Sequence, residues 1–356
     1  MPLADVSVSG FRNLRQVDLT LSPVLNVIQG DNAAGKTSLL EAIHCLARGR
    51  SFLPLRMDRI VSRDAEMLLV RGQVEVGEYR HRVGMSRSGG RTRMRLDGGD
   101  VGSLSEIAWL LPTQVINTQS QRLLTDGPGE RRRFLNWGVF HVEHRFRDAW
   151  RRYDRAHRQR NAALRSGDVR VARACEPELL EAAETVDRLR REFLDAFLPV
   201  WGEQSSRWLP GVTLAVSYRR GWPKDTDLGG VLEGSRGREA ELGYGLYGPH
   251  RADLRLLADG VEATAHLSRG QQKLLVISLR LALARLIAGN GSVRPVLLID
   301  DLPAELDSGN RRRVLEECVA IGAQAFVTCI EAEGLVLPNT ELSMFHVEQG
   351  AYRKVI

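Results

Sequence analysis

The segment GDNAAGKTSLLEA, from Gly30 to Ala42, restricts the possible folds of this chain more than any other part of its sequence. An apolar run, VLNVI, comes before it. After it, apolar residues recur at helical spacing, namely Leu39, Leu40, Ile43, Leu46 and Ala47. This pattern predicts a buried strand, a glycine-containing turn and then a helix. The chain is therefore expected to contain an α/β unit built around that strand and helix.

The turn fits the pattern G-x-x-x-x-G-K-[ST] and has the flanking strand and helix that the pattern requires. Its glycines would let backbone N–H groups and the helix N-terminus face phosphates. Lys36 would place its charge at the β and γ phosphates, and the Thr37 hydroxyl would ligate Mg²⁺. The pattern favours a nucleoside triphosphate site over a glycine turn without a ligand. The predicted ATP-binding residues are Gly30, Asp31, Asn32, Ala33, Ala34, Gly35, Lys36, Thr37 and Ser38.

A second segment, PVLLIDD, ends an apolar run with two carboxylates, Asp300 and Asp301. A phosphate-binding loop of this kind works with such a strand, whose acid holds the metal ion. Asp300 is therefore the predicted Mg²⁺ ligand beside Thr37. Asp301 could orient or deprotonate the attacking water, so Asp301 and Lys36 are the predicted catalytic residues. The alternative is an acidic turn that happens to follow a buried strand.

The segment HLSRGQQK precedes a long apolar stripe and predicts a helix that starts near Ser268. Its plain interpretation is a capped helix, since serine at this position satisfies free N–H groups. A helix N-terminus flanked by glycine is also an anion site. An anion site here would bind either a second nucleotide or the same nucleotide that the glycine loop binds.

The remaining periodicities outline the organisation of the chain. LADVSVS and VDLTL alternate as strands do, and residues 67–98 predict short antiparallel strands that form a side sheet. From about residue 127 to residue 208 the pattern changes to two amphipathic helices joined by a short turn, which indicates a helical hairpin. Strands return after Pro210, and a helix is expected near residues 267–289.

Charge is unevenly distributed along the chain. Residues 131–173 contain thirteen arginines and four acids, whereas the whole chain has a formal net charge of +6. Such a basic segment is typical of nucleic-acid-binding proteins. Only four lysines occur in the chain, so arginine could instead simply be the usual cation here. The arginines predicted to contact DNA are Arg131, Arg132, Arg133, Arg151, Arg152 and Arg155.

Other features limit the class of protein. No apolar run approaches the ~18 residues of a membrane span, and the first residues lack the basic and apolar blocks of a secretion signal. The four cysteines are scattered without a CxxC pair, which suits a reducing compartment and argues against a zinc site. We therefore expect a cytoplasmic protein without membrane partners.

Two of these segments resemble those of a known superfamily. LSRGQQK resembles the signature of ABC-type ATPases, and DDLPAELD resembles their metal-binding strand and the loop that ends at Asp307. Within that superfamily the chain is similar to the RecF DNA-repair family. The similar segments, spread over residues 10–309, are GFRNL, GDNAAGKTSLLEAI, GRSF, PGERRRFLNW, YDRAHRQRNAAL, GYGLYGPHRADL and SRGQQ.

The resemblance implies an α/β P-loop NTPase fold of ABC/SMC-like type, with an antiparallel side sheet and an inserted helical lobe. The expected ATPase head comprises residues 1–125 and 210–356, and the expected basic helical lobe comprises residues 126–209. The resemblance also implies that the signature of one protomer closes on the ATP of another. The residues implied in that role are Ser268, Arg269, Gly270 and Gln271, and those implied in sensing the nucleotide are Gln119, Asp307 and Thr328.

The function implied by the resemblance is a weak, DNA-stimulated ATPase that acts as a switch in recombinational repair and replication. ATP and Mg²⁺ would bring two copies together on DNA at single- and double-strand junctions, and slow hydrolysis would release them. The implied partners are RecO and RecR, and the implied task is to help load the RecA recombinase at gaps. An alternative with the same motifs is the energising ATPase subunit of a transporter.

This sequence departs from the family pattern in three places. Residues 117–120 read NTQS where relatives usually have Ser-Pro-Glu-Asp, which leaves the role of Gln119 open. Pro303 and Ala304 replace bulkier or hydroxylated residues after Asp301. Ala252 stands where the family commonly has a second aspartate, so Arg251 and Asp253 are interpreted as part of a turn that enters a strand.

Overall fold

The computed structural model of this chain describes residues 3–54, 56–291, 293–335 and 338–356. Its backbone forms two compact units. The first comprises Met1–Ser120 and Leu283–Ile356, and the second comprises Gln121–Ala282.

The strands are between two and ten residues long and fall into three sheets. In chain order they are β1 (Leu3–Phe11), β2 (Leu14–Thr20), β3 (Leu25–Gln29), β4 (Met67–Val76), β5 (Tyr79–Ser88), β6 (Arg91–Leu96), β7 (Gly99–Asp100), β8 (Thr113–Ile116), β9 (Leu214–Arg219), β10 (Asp253–Ala258), β11 (Val261–Glu262), β12 (Val296–Ile299), β13 (Gln324–Cys329), β14 (Leu342–Glu348) and β15 (Ala351–Lys354).

The helices range from a single turn to a long rod. In chain order they are α1 (Lys36–Arg48), α2 (Leu104–Leu110), α3 (Arg122–Thr125), α4 (Pro128–Val142), α5 (Arg145–Arg165), α6 (Val169–Ala174), α7 (Glu176–Trp208), α8 (Leu228–Leu242), α9 (Ala263–His266), α10 (Arg269–Gly289), α11 (Leu302–Glu305) and α12 (Ser308–Ile321).

The first unit is built on a six-stranded sheet with the order β15-β14-β3-β13-β12-β8. All neighbours are parallel except the antiparallel pair β14 and β15. Strands β12 and β13 are buried along their whole length, as expected for strands covered on both faces. Because the central strands are parallel, their carboxyl ends lie at one edge, and the loops that follow β3, β8, β12 and β13 meet there.

The predicted side sheet is confirmed, and it is larger than expected. Its order is β2-β1-β4-β5-β6-β7, and all its neighbouring strands are antiparallel. Alternate residues of these strands are buried, so the sheet has one face towards the core and one polar face. Residues Leu3–Phe11 and Leu14–Thr20, which precede the glycine loop, belong to this sheet.

Helix α1 is buried on nearly all sides. The core around it combines apolar side chains from the side sheet, such as Val70 and Met85, with residues of the central sheet, such as Leu298 and Phe326. A helix that is buried all round can carry polar residues only if they have partners. Glu41 of α1 meets this condition, because it accepts hydrogen bonds from Arg12 and from Ser51.

The second unit consists of the predicted helical hairpin and a small sheet. Helices α5 and α7 pack along each other, and the sheet has the order β11-β10-β9. Aromatic side chains fill the space between α4 and α7, with ring centroids 6.0 Å apart for Phe134 and Phe197. Helix α8 was not predicted from the sequence. It contains four glycines, which weaken the helical pattern, but Asp227 caps it by accepting a hydrogen bond from the N–H of Gly230 at 2.8 Å.

The second unit extends further along the chain than the predicted helical lobe of residues 126–209. It also includes residues 210–282, which the sequence assigned to the ATPase head. The reason lies in side-chain contacts. Helix α4 packs on β10, with Arg131 paired to Asp253 at 2.8 Å, and helix α5 packs on α8, with Arg160 paired to Glu239 at 2.7 Å.

Candidate nucleotide site

The glycine loop between β3 and α1 adopts a conformation that its sequence makes possible. Gly30 has a φ angle of +153°, and a Cβ atom there would lie 2.2 Å from the carbonyl oxygen of Val347. Gly35, with a φ angle of +123°, is the N-cap of α1. Both positions therefore require glycine. The loop delivers the start of α1, with its free N–H groups, to the carboxyl edge of the central sheet.

Lys36 folds back over this loop. Its Nζ atom donates hydrogen bonds to the carbonyl oxygens of Gly30, at 2.6 Å, and Asp31, at 2.9 Å. The side chain is only 8% exposed. The ammonium group is thus held inside the curve of the loop, which is where the sequence predicted a phosphate-binding charge.

Thr37 and Asp300 come together as predicted. The Thr37 hydroxyl lies 2.9 and 3.0 Å from the two carboxylate oxygens of Asp300 and donates to this carboxylate. Burial raises the pKa of Asp300, although the hydroxyls of Thr328 and Thr37 oppose that rise. Two hard oxygen donors, one a partly desolvated carboxylate, are what Mg²⁺ prefers.

Thr328 forms hydrogen bonds with both acidic residues of the PVLLIDD segment, Asp300 and Asp301. Its hydroxyl donates to Oδ1 of Asp300 at 2.8 Å and accepts the backbone N–H of Asp301 at 2.7 Å. The sequence predicted a nucleotide-sensing residue here but not this positioning contact. The contact arises because β13 lies beside β12 in parallel register, with Ile299 opposite Val327.

Asp301 has a left-handed backbone conformation, with a φ angle of +53°, at the start of α11. A non-glycine residue in this conformation costs roughly 1–2 kcal/mol, and such strain is typically kept at functional sites. The carboxylate is neither buried nor fully exposed. Asp301 directly follows the predicted metal ligand, and the hydroxyls of Thr37 and Thr328 donate to the carboxylate of Asp300 and not to that of Asp301.

Two segments distant in sequence support the loop, and neither contact was predicted from the sequence. Asn13, in the turn between β1 and β2, donates to the carbonyl oxygen of Ala33 at 3.1 Å and accepts from the Ser38 hydroxyl at 2.7 Å. The Tyr352 hydroxyl of β15 donates to the carbonyl oxygen of Gly35 at 2.9 Å. GFRNL was noticed only as a family segment, and nothing in the sequence pattern pointed to Tyr352.

An open cleft of about 1680 Å³ begins beside the loop. Its lining includes Asn13 and Ala33 at one side, the turn around Gly350, and polar residues that follow Ile60, such as Ser62 and Asp64. The cleft lies entirely within the first unit. It could accept a polar ligand that extends from the glycine loop.

The predicted signature residues lie in the second unit, at the start of α10. The Ser268 hydroxyl accepts the N–H of Gln271 at 3.3 Å, and the Gln271 side chain accepts the N–H of Ser268 at 2.9 Å. This reciprocal pair is a capping box. Ser268, Arg269 and Gly270 are exposed, and a Cβ atom on Gly270 would meet nothing within 4 Å. The helix tip is thus capped and accessible.

The two remaining nucleotide-sensing candidates have identifiable local positions. Gln119 lies in a short turn, Thr118–Gln121, directly after β8, so it is at the carboxyl edge of the central sheet. Asp307 is exposed and caps α12 by accepting the N–H of Asn310 at 2.9 Å. Its hydrogen bonds with Asn310 lower the pKa of Asp307. Their roles towards a nucleotide stay predictions.

The arginines predicted to contact DNA divide into two groups. Arg131 is paired with Asp253, Arg132 donates to the carbonyl oxygen of Ala252, and the other members of the engaged group are Arg133, paired with Glu130, and Arg152, paired with Glu178 and Glu181. Arg151 and Arg155 are exposed. DNA contact by this set stays a prediction, and Arg151 and Arg155 are its most accessible members.

Comparison with known proteins connects this geometry to a family. Residues 2–353 match the family described as RecF/RecN/SMC N terminal domain. The DNA replication and repair protein RecF of Stutzerimonas stutzeri (strain A1501) is 43% identical over 357 residues, which cover 98% of this chain and 96% of that protein. RecF of Pseudomonas fluorescens (strain SBW25) is 42% identical over 360 residues, which cover 98% and 97%. The chain belongs to the RecF family. As a RecF family member it is an ABC-type ATPase of DNA replication and repair, and a transporter subunit is not favoured.

Solved structures confirm the fold predicted from the RecF resemblance. The recombination mediator protein RecF-ATPrS of the RecFOR pathway has a TM-score of 0.87 at 24% identity, covering 100% of this chain and 99% of that one. An Smc head bound to the C-winged helix domain of ScpA has a TM-score of 0.63 at 16% identity, covering 100% and 97%. Across the described residues of this RecF family member, no helix has the length and apolar character needed to cross a membrane.

Proposed function

We propose that this protein is an ATP-operated DNA clamp of recombinational repair. In this proposal ATP joins two copies, because the loop around Lys36 in one copy and the helix tip at Ser268 in the other each contribute half of the site. The observation that supports it most is the accessible, capped start of α10, which has the form of an anion-binding site but lies in a different unit from the glycine loop. A second copy would supply the phosphate that this tip can bind.

The residues beside the loop fit Mg²⁺. Thr37 and Asp300 offer oxygen ligands, while no group of three or more His, Cys, Asp or Glu that could hold a metal occurs in the part of the chain that the structure describes. A magnesium site with one carboxylate normally completes its shell with phosphates and waters. Bound Mg²⁺ would supply charge neutralisation for the phosphates. A cation there would also stabilise the ionised carboxylate of Asp300, which burial disfavours.

The other residues have roles that follow from their positions. Lys36 would exchange its two carbonyl partners for phosphate oxygens, which keeps the ammonium group satisfied in both states. Thr328 would keep Asp300 and Asp301 in place, and Asp301 would orient or deprotonate the attacking water. The base and ribose would occupy the cleft beside Asn13 and Ala33. Gln119 and Asp307 are proposed to report the state of the nucleotide.

The wider role is proposed from the RecF relatives. A related structure is that of a recombination mediator protein in the RecFOR pathway, which supports RecO and RecR as partners here. The loading of RecA at gaps is the task that the resemblance to the RecF family implies. Slow ATP hydrolysis would release the clamp from DNA. The exposed Arg151 and Arg155 are candidates for contact with DNA by the second unit, called the helical unit below.

Two substitutions test the ATP-dependent dimer. Asp301→Asn should bind ATP but hydrolyse it too slowly to measure, and should therefore accumulate as a dimer in light scattering. Lys36→Ala should stay monomeric with ATP. Asp225→Asn, an exposed carboxylate of the second unit, is the matched control and should behave as wild type. Asp301→Asn that stays monomeric at saturating ATP, or Lys36→Ala that dimerises normally, would contradict the proposed site.

A further inference from the structure

The outer face of the side sheet carries a group of arginines outside the nucleotide site. Because alternate residues of a strand point to the same face, the outward residues of β4, β5 and β6 can be identified from burial. They include six arginines and the single acid Glu75. These arginines, called the arginine face below, are Arg71, Arg80, Arg82, Arg91, Arg93 and Arg95.

The strand register brings these arginines together around small residues. On β5, Gly84 lies between Arg71 of β4 and Arg95 of β6, and Ser86 lies opposite Arg93. A Cβ atom on Gly84 would meet nothing within 4 Å, so the space above it is open. The result is a shallow groove with a small-residue floor, lined by Arg71 and Leu69 of β4 on one side and by Arg93 and Arg95 of β6 on the other.

The arginines of this face are accessible. All six are exposed, with side-chain exposures of 73% for Arg80 and 60% for Arg95. Arg80 is paired with Glu75 and Arg95 with Asp100. Within residues 3–54, 56–291, 293–335 and 338–356, the side chains of Arg71, Arg91 and Arg93 make no ion pair. Their charge is therefore available to a partner.

We infer that the arginine face binds the phosphate backbone of duplex DNA. This inference rests on the proposed function, since it assigns a second surface of the same protein to the DNA that the clamp would hold. Successive outward residues of a strand are ~6.7 Å apart, and neighbouring strands are ~4.8 Å apart. The face is therefore a regular, dense array of cations, which suits a polyanion with closely and evenly spaced charges.

The composition of the face favours nucleic acid over an acidic protein. Protein interfaces are depleted of charge at their centre and rely on apolar or aromatic anchors. Here the centre of the face is Gly84 with Arg71 and Arg95 beside it. Arginines on a flat sheet can contact phosphates without entering a groove, so binding should be strongly salt-dependent and nearly independent of base sequence.

The test compares two variants with the same loss of charge. One replaces Arg71, Arg91 and Arg93 by Gln. The control replaces Arg188, Arg219 and Arg238 by Gln, and these three are exposed residues of the second unit outside the basic segment 131–173. The probe is a fluorescent DNA duplex with a single-stranded gap, titrated at saturating ATP over a salt series. Polyglutamate serves as a second probe, and ATP-dependent dimerisation is measured separately by light scattering.

The arginine-face variant should dimerise like wild type but bind the duplex about 10- to 100-fold more weakly at ~0.15 M salt, with a salt slope smaller by about 2–3. The control should stay within about threefold of wild type. Wild-type affinity in the arginine-face variant would overturn the inference alone, and so would a loss confined to polyglutamate. A wild-type protein that binds no DNA with ATP would overturn the proposed function, and the inference with it.

Discussion

Two regions of this protein are rich in arginine, and they use it in opposite ways. In the helical unit, at least eight of the thirteen arginines in residues 131–173 are engaged with acids or carbonyl groups of the protein itself. On the side sheet, four of the six arginines of the arginine face, Arg71, Arg82, Arg91 and Arg93, make no ion pair among the described residues. The comparison shows that charge counted along a segment does not identify a binding surface.

The difference follows from secondary structure. In the helical unit some of the counter-charges lie within the counted segment, as Glu143, Asp148 and Asp154 do, but others come from outside it. Glu178 of α7 lies 2.6 Å from Arg152 of α5, and Glu239 of α8 lies 2.7 Å from Arg160. On the side sheet, the period of two sends alternate residues outward beside small neighbours such as Gly84 and Ser86. Packed helices bring acids to the arginines, whereas the outer face of the sheet leaves them in solvent.

The largest expected effect on stability comes from replacing Arg160, a buried arginine of the helical unit. Arg160→Met should lower the free energy of unfolding by about 3–5 kcal/mol, because the fully buried Glu239 would lose its ion-pair partner and the nearly buried Glu176 would keep only Arg236. Urea denaturation followed by tryptophan fluorescence measures it, since five of the six tryptophans lie in the second unit.

The matched change on the side sheet is Arg91→Met, at an exposed position without an ion pair among the described residues. It should change the free energy of unfolding by no more than about 0.5 kcal/mol. Equal destabilisation by the two substitutions would break the comparison, because it would mean that Arg91 also supports the fold.

The parts of the site that could be predicted are local in sequence or follow from strand ends. The strand, loop and helix around Lys36 belong to one continuous segment. Asp300 was found because it ends an apolar strand. Asn13, Thr328 and Tyr352 depend on which strands become neighbours. Tyr352 lies 317 residues from Gly35, its partner, and only the sheet topology brings them together. The ion pairs of Arg152 could not be predicted from the sequence either, because its partners Glu178 and Glu181 lie on another helix.

Acid should reveal a consequence of side-chain burial in the second unit. His250 accepts a hydrogen bond from the Tyr153 hydroxyl at 2.5 Å, and its pKa is lowered to about 3 by burial, with His157, Arg251 and Arg132 adding to the effect. A lowered pKa means that the unfolded state binds the proton more readily, so stability falls as the pH drops from 6.5 towards 3. Between pH 7 and pH 5 the loss should be about 2 kcal/mol.

This pH dependence is measured by urea denaturation at pH 7, 6 and 5. His250→Gln should flatten the slope, while His81→Gln on the side sheet should leave it unchanged. A slope in His250→Gln as steep as in wild type would show that the acid sensitivity has another origin.

A new acid in the groove of the arginine face should act on DNA and not on the fold. Gly84→Glu places a carboxylate between Arg71 and Arg95, in open space and without an unfavourable φ angle. The new carboxylate would pair with these arginines, as the acids of the helical unit pair with its arginines. We expect DNA affinity to fall about tenfold. Gly84→Ser, which adds no charge, should bind DNA like wild type, and a similar loss with serine would indicate a steric effect instead.

The smallest expected effect is a change in ATP affinity at the nucleotide site that leaves DNA binding by the arginine face unchanged, although both surfaces lie in the first unit. Tyr352→Phe removes the hydrogen bond to the carbonyl oxygen of Gly35. Because a single hydrogen bond contributes about 1 kcal/mol, the dissociation constant for ATP should rise a few-fold, roughly 3- to 5-fold, with the hydrolysis rate at saturating ATP unchanged. Tyr79→Phe, at a residue that is 74% exposed, is the control.

At saturating ATP both variants should show the wild-type salt slope for DNA, since neither changes an arginine. An altered slope in Tyr352→Phe alone would mean that the loop and the arginine face are energetically coupled, and the two surfaces could then no longer be treated as independent.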